Sequence, residues 1–257
     1  MPDNRPIGVF DSGVGGLTLL RELDSLMPYE NFIYVGDTAR MPYGTKSEEE
    51  IIRYSEEIIR FLESLDCKLI VIACNTVSGL LPEIDRRGGH RAPVVGIINY
   101  GCVAAALYVT YNFNIGVWAT QRTIDSGVYQ KYMDSFDPTV RLHMSHCTEL
   151  VELIEHGAIG SPQARNFTEK YLRPMLREDI DTLILGCTHL PFIKPIIQDI
   201  VSPAVTLIDP ARRTAVLCMK VLHDNNTLIS NHSERGTKRF FVTGDPDAFR
   251  ETSQLLI

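Results

Sequence analysis

No basic excess runs through this chain. Its 257 residues carry 25 Lys+Arg against 32 Asp+Glu, a formal net charge of -7, and no Lys/Arg block stands out. A protein that binds nucleic acid by neutralising phosphates needs the opposite balance, so a direct nucleic-acid partner is not expected. Long apolar runs are also lacking. The longest, Cys102 to Val109, is less than half of a membrane span, and no membrane partner is expected. The N-terminus MPDNRPIGVFDSG lacks the basic segment and apolar core of a secretory signal. These absences together lead to the expectation of a cytoplasmic protein. Cys67, Cys74, Cys102, Cys147, Cys187 and Cys218 are scattered. They form no CxxC pair and suggest no disulfide scaffold, and no His-x3-His cluster proposes a metal site. In a reducing compartment they are free thiols.

With 44% hydrophobic and 22% charged residues, the chain has ample material for a core. Apolar, β-rich runs alternate with helical patterns. Ile7–Phe10, Phe32–Val35, Leu69–Ala73 and Val94–Ile98 read as strands. Leu17–Leu26 has helical spacing. Ser47 with Glu50 makes a capping box for a helix to Leu65, whose apolar stripe is Ile51, Ile58, Phe61, Leu62 and Leu65. The pattern then restarts. Strands are expected at Asn114–Trp118, Val140–Met144, Thr182–Leu185 and Val205–Ile208, and helices at Thr123–Phe136, Leu150–His156 and Gln163–Leu176. After Ile208 come a helix, a strand at Arg239–Val242 and a last helix, which return to the first half. Strands alternating with helices imply an α/β fold of mainly parallel sheets with helices on both faces.

A faint internal repeat divides the chain. Ile7-Gly-Val-Phe10 resembles Ile115-Gly-Val-Trp118. Leu69-Ile-Val-Ile-Ala-Cys74 resembles Leu183-Ile-Leu-Gly-Cys187, at nearly the same offset. We therefore expect two pseudo-symmetric α/β lobes, residues 1–98 with 210–257 and residues 99–209, each with one cysteine just past a strand. In open α/β sheets ligands bind beyond the carboxyl ends of strands. Those ends supply Asp11-Ser12, Pro42-Tyr43-Gly44, Cys74-Asn75-Thr76, Thr120 with Thr123, and Cys187-Thr188-His189, which would converge on a cleft between the lobes. A lone cysteine is more often a buried structural residue. Two at repeat-related positions, each flanked by hydrogen-bonding residues, point instead to chemistry. A thiol exposed at a strand end can be partly thiolate near neutral pH if its surroundings lower its pKa. Two such groups on opposite faces of a carbon invert it, one taking a proton and the other returning one. His189 would tune Cys187 or hold a carboxylate, and Asp11 would support Cys74. Either also fits a plain structural role, His189 as a satisfied polar residue and Asp11 as a turn or cap. Asp11-Ser-Gly-Val-Gly-Gly16 lacks the Lys of a P-loop and does not match GxGxxG. It is either an anion-binding turn or simply a tight connection.

These motifs resemble those of bacterial glutamate racemases: Phe10-Asp-Ser-Gly-Val-Gly-Gly16, Gly36-Asp-Thr-Ala-Arg40 with Pro42-Tyr-Gly44, Ala73-Cys-Asn-Thr-Val-Ser78, Thr120 with Thr123 and Ser126, Glu155 before Gly157, and Leu185-Gly-Cys-Thr-His189. The resemblance runs from Ile7 to the C-terminal region. It implies Cys74 and Cys187 as catalytic bases, the first acting on the D-isomer and the second on the L-isomer. Asp11 then assists the first, and Glu155 and His189 the second. Ser12, Pro42, Tyr43, Gly44, Asn75, Thr76, Thr120, Thr123 and Thr188 match positions that hold the substrate or line its pocket. The resemblance further implies glutamate as substrate, no cofactor, a homodimer, and D-glutamate for peptidoglycan as the product's use. The chain departs from the usual family residues at Asn99-Tyr100 (Glu-Pro), Thr148 and Glu152 (Pro each) and Ala119 (Gly). Other possibilities are the same two-thiol chemistry on aspartate or another amino acid, and an isomerase of a dicarboxylate lacking an amine. A regulatory protein that inhibits DNA gyrase is a possibility of another class.

Overall fold

The computed structural model describes residues 3–201, 203–229 and 234–256. The chain runs β1 (Ile7–Asp11), α1 (Leu17–Leu26), β2 (Phe32–Gly36), α2 (Glu48–Ser64), β3 (Leu69–Ile72), α3 (Asn75–Ser78), α4 (Leu81–Arg87) and β4 (Val94–Gly96). It continues through α5 (Tyr100–Val109), β5 (Asn114–Ala119), α6 (Gln121–Asp125), α7 (Val128–Phe136), β6 (Arg141–His146), α8 (Thr148–Glu155), α9 (Pro162–Leu176), β7 (Thr182–Gly186), α10 (Lys194–Val201) and β8 (Thr206–Ile208). It ends with α11 (Pro210–Asp224), β9 (Lys238–Val242) and α12 (Pro246–Leu256).

Two parallel sheets result, ordered β4-β3-β1-β2-β9 and β6-β5-β7-β8. Reversing the second order gives β8-β7-β5-β6, which matches β4-β3-β1-β2 strand for strand. The sequence repeat is therefore a repeat of topology, with β1 equivalent to β5 and β3 to β7. β9 adds a fifth strand to the first sheet, pairing with β2 over the register Phe32↔Lys238 to Gly36↔Val242.

Local chemistry explains the elements. Ser47 and Glu50 form the expected capping box, and Glu48, Glu49 and Glu50 place negative charge at the positive end of α2. β3 is buried on both faces. Its Leu69 and Val71 join one core, while Ile70 and Ile72 join a second core beneath α2 and α4. The first of these cores is continuous through α1, α11 and α5 into the second lobe. Lys68 and Glu30 form a fully buried ion pair at 2.7 Å. The Lys68 ammonium also donates to the carbonyls of Asp3 and Thr227, and Glu30 accepts from the Ile229 amide. This cluster ties the N-terminal segment and the 227–229 segment to the first sheet.

The helix expected over Thr123–Phe136 is two helices. Gly127, at φ 64°, takes a left-handed conformation that ends α6 and redirects the chain into α7. Phe61 does not lie in the buried stripe of α2. It is 38% exposed and meets Phe241 edge-on, while Ile52 and Ile59 are buried instead. Among the described residues no helix is long and apolar enough to cross a membrane.

Candidate active site

The C-terminal ends of both sheets face a narrow cavity lined by Ser12, Pro42, Tyr43, Gly44, Cys74, Asn75, Thr76, Thr120, Cys187, Thr188 and His189, all expected from the sequence. Asp11, Thr123 and Glu155 lie behind this lining. Thr148 and Val151 of α8 also line it; sequence reasoning noted Thr148 only as a departure and missed Val151. The cavity holds about 20 Å³, room for about one water. A groove of about 750 Å³ between α1, β9 and α12 is far larger but contains no thiol.

Each thiol has its own support. Cys74 follows β3 and opens α3, with its Sγ 3.8 Å from Ser12 Oγ. Cys187 follows β7, with its Sγ 3.6 Å from His189 Nδ1. Both are 5% exposed, so neither is the exposed thiol the sequence suggested. Burial, reinforced by the neighbouring Asp11 carboxylate, pushes the Cys74 thiol up to about 12. Contact with the Cys147 thiol, and then burial, hold Cys187 well above the usual thiol range while His189 pulls the other way. Desolvation, common to both sites, penalises a thiolate more than a thiol.

Behind Cys187 runs a relay. His189 Nε2 lies 2.5 Å from Glu155 Oε1, both side chains almost fully buried. Burial opposes the imidazolium, but Cys187 and Glu155 together raise His189 well above its ordinary value. Glu155 Oε1 also accepts from the Val14 amide at 3.1 Å. The glycine-rich turn therefore does bind an anion, and the anion is the protein's own carboxylate. Close approach requires the glycines: a Cβ on Gly13 would meet Glu155 Oε1 at 2.0 Å, and one on Gly15 would meet Thr188 Oγ1 at 2.4 Å.

Asp11 sits under the same turn. Its carboxylate accepts from the Gly13 amide at 3.0 Å and from Thr188 Oγ1 at 3.3 Å. Burial raises its carboxyl to about 6, against the pull of His189. Hydroxyls join the lobes elsewhere: Thr76 and Thr120 are 3.0 Å apart, and Thr120 and Thr123 2.9 Å. Asn75 donates to the Tyr129 hydroxyl at 3.2 Å, and its buried Oδ1 has no partner among the described residues. The Tyr43 hydroxyl donates to Asp37, which also accepts from Arg40 and Thr243; this anchors the Pro42–Gly44 turn.

Residues 17–218 match the family model Asp/Glu/Hydantoin racemase. The chain belongs to that racemase family. It is 41% identical to a glutamate racemase of Thermoanaerobacter pseudethanolicus, across 99% of this chain and 94% of that one. The glutamate racemase isoform RacE1 from Bacillus anthracis superposes with a TM-score of 0.92 at 34% identity, covering 98% of this chain and 93% of that one. The Francisella tularensis enzyme, solved with D-glutamate, superposes with a TM-score of 0.89 at 36% identity, covering 99% and 94%. Like them, this racemase-family member pairs two parallel-sheet lobes. Its class is that of an isomerase acting on an amino acid.

The departures noted in the sequence now have places. Asn99 caps α5, and its amide donates to the carbonyls of Gly96 and Ile97 and to Thr214 Oγ1 at 2.9 Å. It thus ties the crossover between the sheets to α11. Tyr100 lies outside, 55% exposed, against Tyr132 and Phe136.

Proposed function

We propose that this chain interconverts L- and D-glutamate by two-base proton transfer between Cys74 and Cys187. One observation carries the assignment: the two cysteines come from equivalent strands of the two sheets and line a single cavity. One sulfur, as thiolate, removes the α-proton on one face. The other, as thiol, delivers its proton to the opposite face. One proton leaves carbon, one arrives, and no oxidation state changes. After each turnover the protonation states of the two sulfurs are exchanged.

The difficulty is the weak acidity of a hydrogen beside a carboxylate. Fixed dipoles in a water-poor site stabilise the developing charge, and Ser12, Asn75, Thr76, Thr120 and Thr188 supply them. Asp11 and the unpartnered Asn75 Oδ1 suit the substrate ammonium. His189, with Nε2 held by Glu155, presents Nδ1 to Cys187 and favours the ionised form of that sulfur. Asp11 supports Cys74 through charge, and Thr123 acts through Thr120. The substrate ammonium adds positive charge beside the two sulfurs.

Glutamate does not fit a cavity of about 20 Å³, so the lobes part to admit it. The assignment takes residues 1–98 with 210–257 as one lobe and 99–209 as the other. It is supported by β9 joining the first sheet and by Asn99 bonding Thr214 where the chain crosses between them. Six free cysteines support a reducing, cytoplasmic setting. The exposed aromatics Tyr100, Tyr108, Tyr111 and Phe136 support a homodimer. The product would serve peptidoglycan synthesis.

The test is racemisation of L- and D-glutamate by purified protein without added cofactor, in deuterium oxide. Product should carry deuterium at the α-carbon, and Cys74→Ala and Cys187→Ala should each abolish turnover with the fold intact. Full activity in either variant refutes the paired-thiol scheme. A chiral assay across other amino acids, aspartate first, fixes the substrate.

A further inference from the structure

The two-thiol reaction leaves one wall of the cavity without a task. Thr148 and Val151 lie one helical turn apart on α8 and share a face, and both line the cavity. Strand order explains their position. In the second sheet β6, β5 and β7 lie side by side, and the segments leaving them carry Thr148, Thr120 and Cys187 in that order. In the first sheet β3, β1 and β2 deliver Cys74, Ser12 and the Pro42–Gly44 turn. That turn meets the second lobe at Thr120, where a Cβ on Gly44 would stand 3.2 Å from the threonine side chain. The cavity therefore has a region bracketed by sulfur and another bounded by Tyr43, Gly44, Thr120 and Thr148.

The second region lacks a cationic side chain: neither Lys nor Arg lines the cavity. An acidic group placed there must be held by neutral donors. The Thr120 hydroxyl is already engaged with Thr76 and Thr123. That of Thr148 makes no hydrogen bond among the described residues, and the side chain is only half-buried. Thr148 is thus the hydroxyl of this wall still available to a ligand, and it stands where the usual family residue has no donor at all.

We propose that Thr148 is a specificity-determining residue whose hydroxyl donates to the side-chain carboxylate of the substrate, while Val151 packs against the intervening methylenes. The proposal rests on glutamate racemisation as the reaction. It makes recognition of the distal carboxylate in this chain partly the work of α8.

Thr148→Val keeps the shape and removes the donor, and Thr148→Ser keeps the donor. With D- and L-glutamate, Thr148→Val should raise KM about tenfold, the contribution of one hydrogen bond to a charged group, with kcat little changed. Thr148→Ser should stay within about twofold of the parent. 2-Aminobutyrate, which has the α-carbon groups but no distal carboxylate, serves as competitive inhibitor. Its Ki should be the same for the parent and Thr148→Val, which a general distortion of the site would not allow. An unchanged glutamate KM in Thr148→Val, or a Ki for 2-aminobutyrate that rises in step with KM, overturns the assignment of Thr148 alone. Absence of glutamate turnover in the parent protein overturns the reaction and this assignment with it.

Discussion

Adding one methyl group at Gly13 tests the relay behind Cys187 without touching any group that reaches the substrate. An alanine Cβ there lies 2.0 Å from Glu155 Oε1, 2.8 Å from its Cδ and 2.9 Å from Met41 Sδ. The carboxylate must retreat by more than about 1 Å to reach van der Waals separation. Its bonds to His189 Nε2 and the Val14 amide start at 2.5 and 3.1 Å, so such a retreat stretches or misaligns both. Losing a hydrogen bond to a charged group costs about 1.5–3 kcal/mol, which is about 10- to 100-fold in kcat/KM. Because enantiomers in water are equal in free energy, the fall must be the same from L- and from D-glutamate. Overpacking costs a further ~1–3 kcal/mol of stability, a drop of roughly 2–12 °C in Tm for a chain of this size. Racemisation followed by circular dichroism from both enantiomers, well below the melting temperature, separates the two effects. Gly160→Ala is the control, since its Cβ meets nothing within 4 Å. Wild-type kcat/KM in Gly13→Ala refutes the claim that Glu155 holds His189 in its working position.

Two further perturbations probe charge and stability. Asp11 is raised from 3.8 to about 6 by burial, so the folded state binds this proton more tightly than the unfolded one. Its contribution is present below the unfolded value and is lost as pH rises through the folded one. Asp11→Asn should therefore match the parent below about pH 4 and exceed it at neutral pH by roughly 3 kcal/mol while losing activity; a Tm difference that does not grow with pH counts against this. Lys68→Ala leaves Glu30 as an uncompensated buried charge and should destabilise the protein by about 3–5 kcal/mol in denaturant unfolding, whereas a change within error would mean that water enters the cluster.

Legibility in the sequence followed the physics of burial. Strands such as Leu69–Ile72 were plain because both faces are buried and the run is continuously apolar. The capping box of α2 was plain because its two partners are local in sequence. α5 was visible only as an apolar run. It buries Cys102, Val103, Ala105 and Ala106, but its outer face carries the exposed Tyr100 and Tyr108, so no apolar periodicity marks which side meets the core. The break at Gly127 inside the expected Thr123–Phe136 helix was not legible, because nothing local reports a positive φ. Within the site, the motif residues that line the cavity lie at strand ends, where topology dictates their direction. Thr148 and Val151 reach it only through the angle at which α8 packs, a tertiary quantity. The state of the thiols was beyond the sequence for a related reason: flanking polar residues suggested access to solvent, but closure of one lobe on the other buries them.

That closure links ionisation to substrate binding. In the empty cavity, burial and the Asp11 carboxylate hold Cys74 as a thiol, and Cys147 and burial do the same for Cys187. His189 favours a sulfur anion at Cys187, but not enough to offset them. Glutamate brings an ammonium group, a further positive charge, into a space from which water is excluded and where a charge interaction is strongest. In the proposed reaction that cation lowers the cost of forming a thiolate beside the α-carbon. On the proposed scheme both sulfurs stay thiols until substrate enters, and one then ionises where a proton is to be removed. That scheme confines reactivity to the occupied site, because part of the charge that permits it arrives with the substrate.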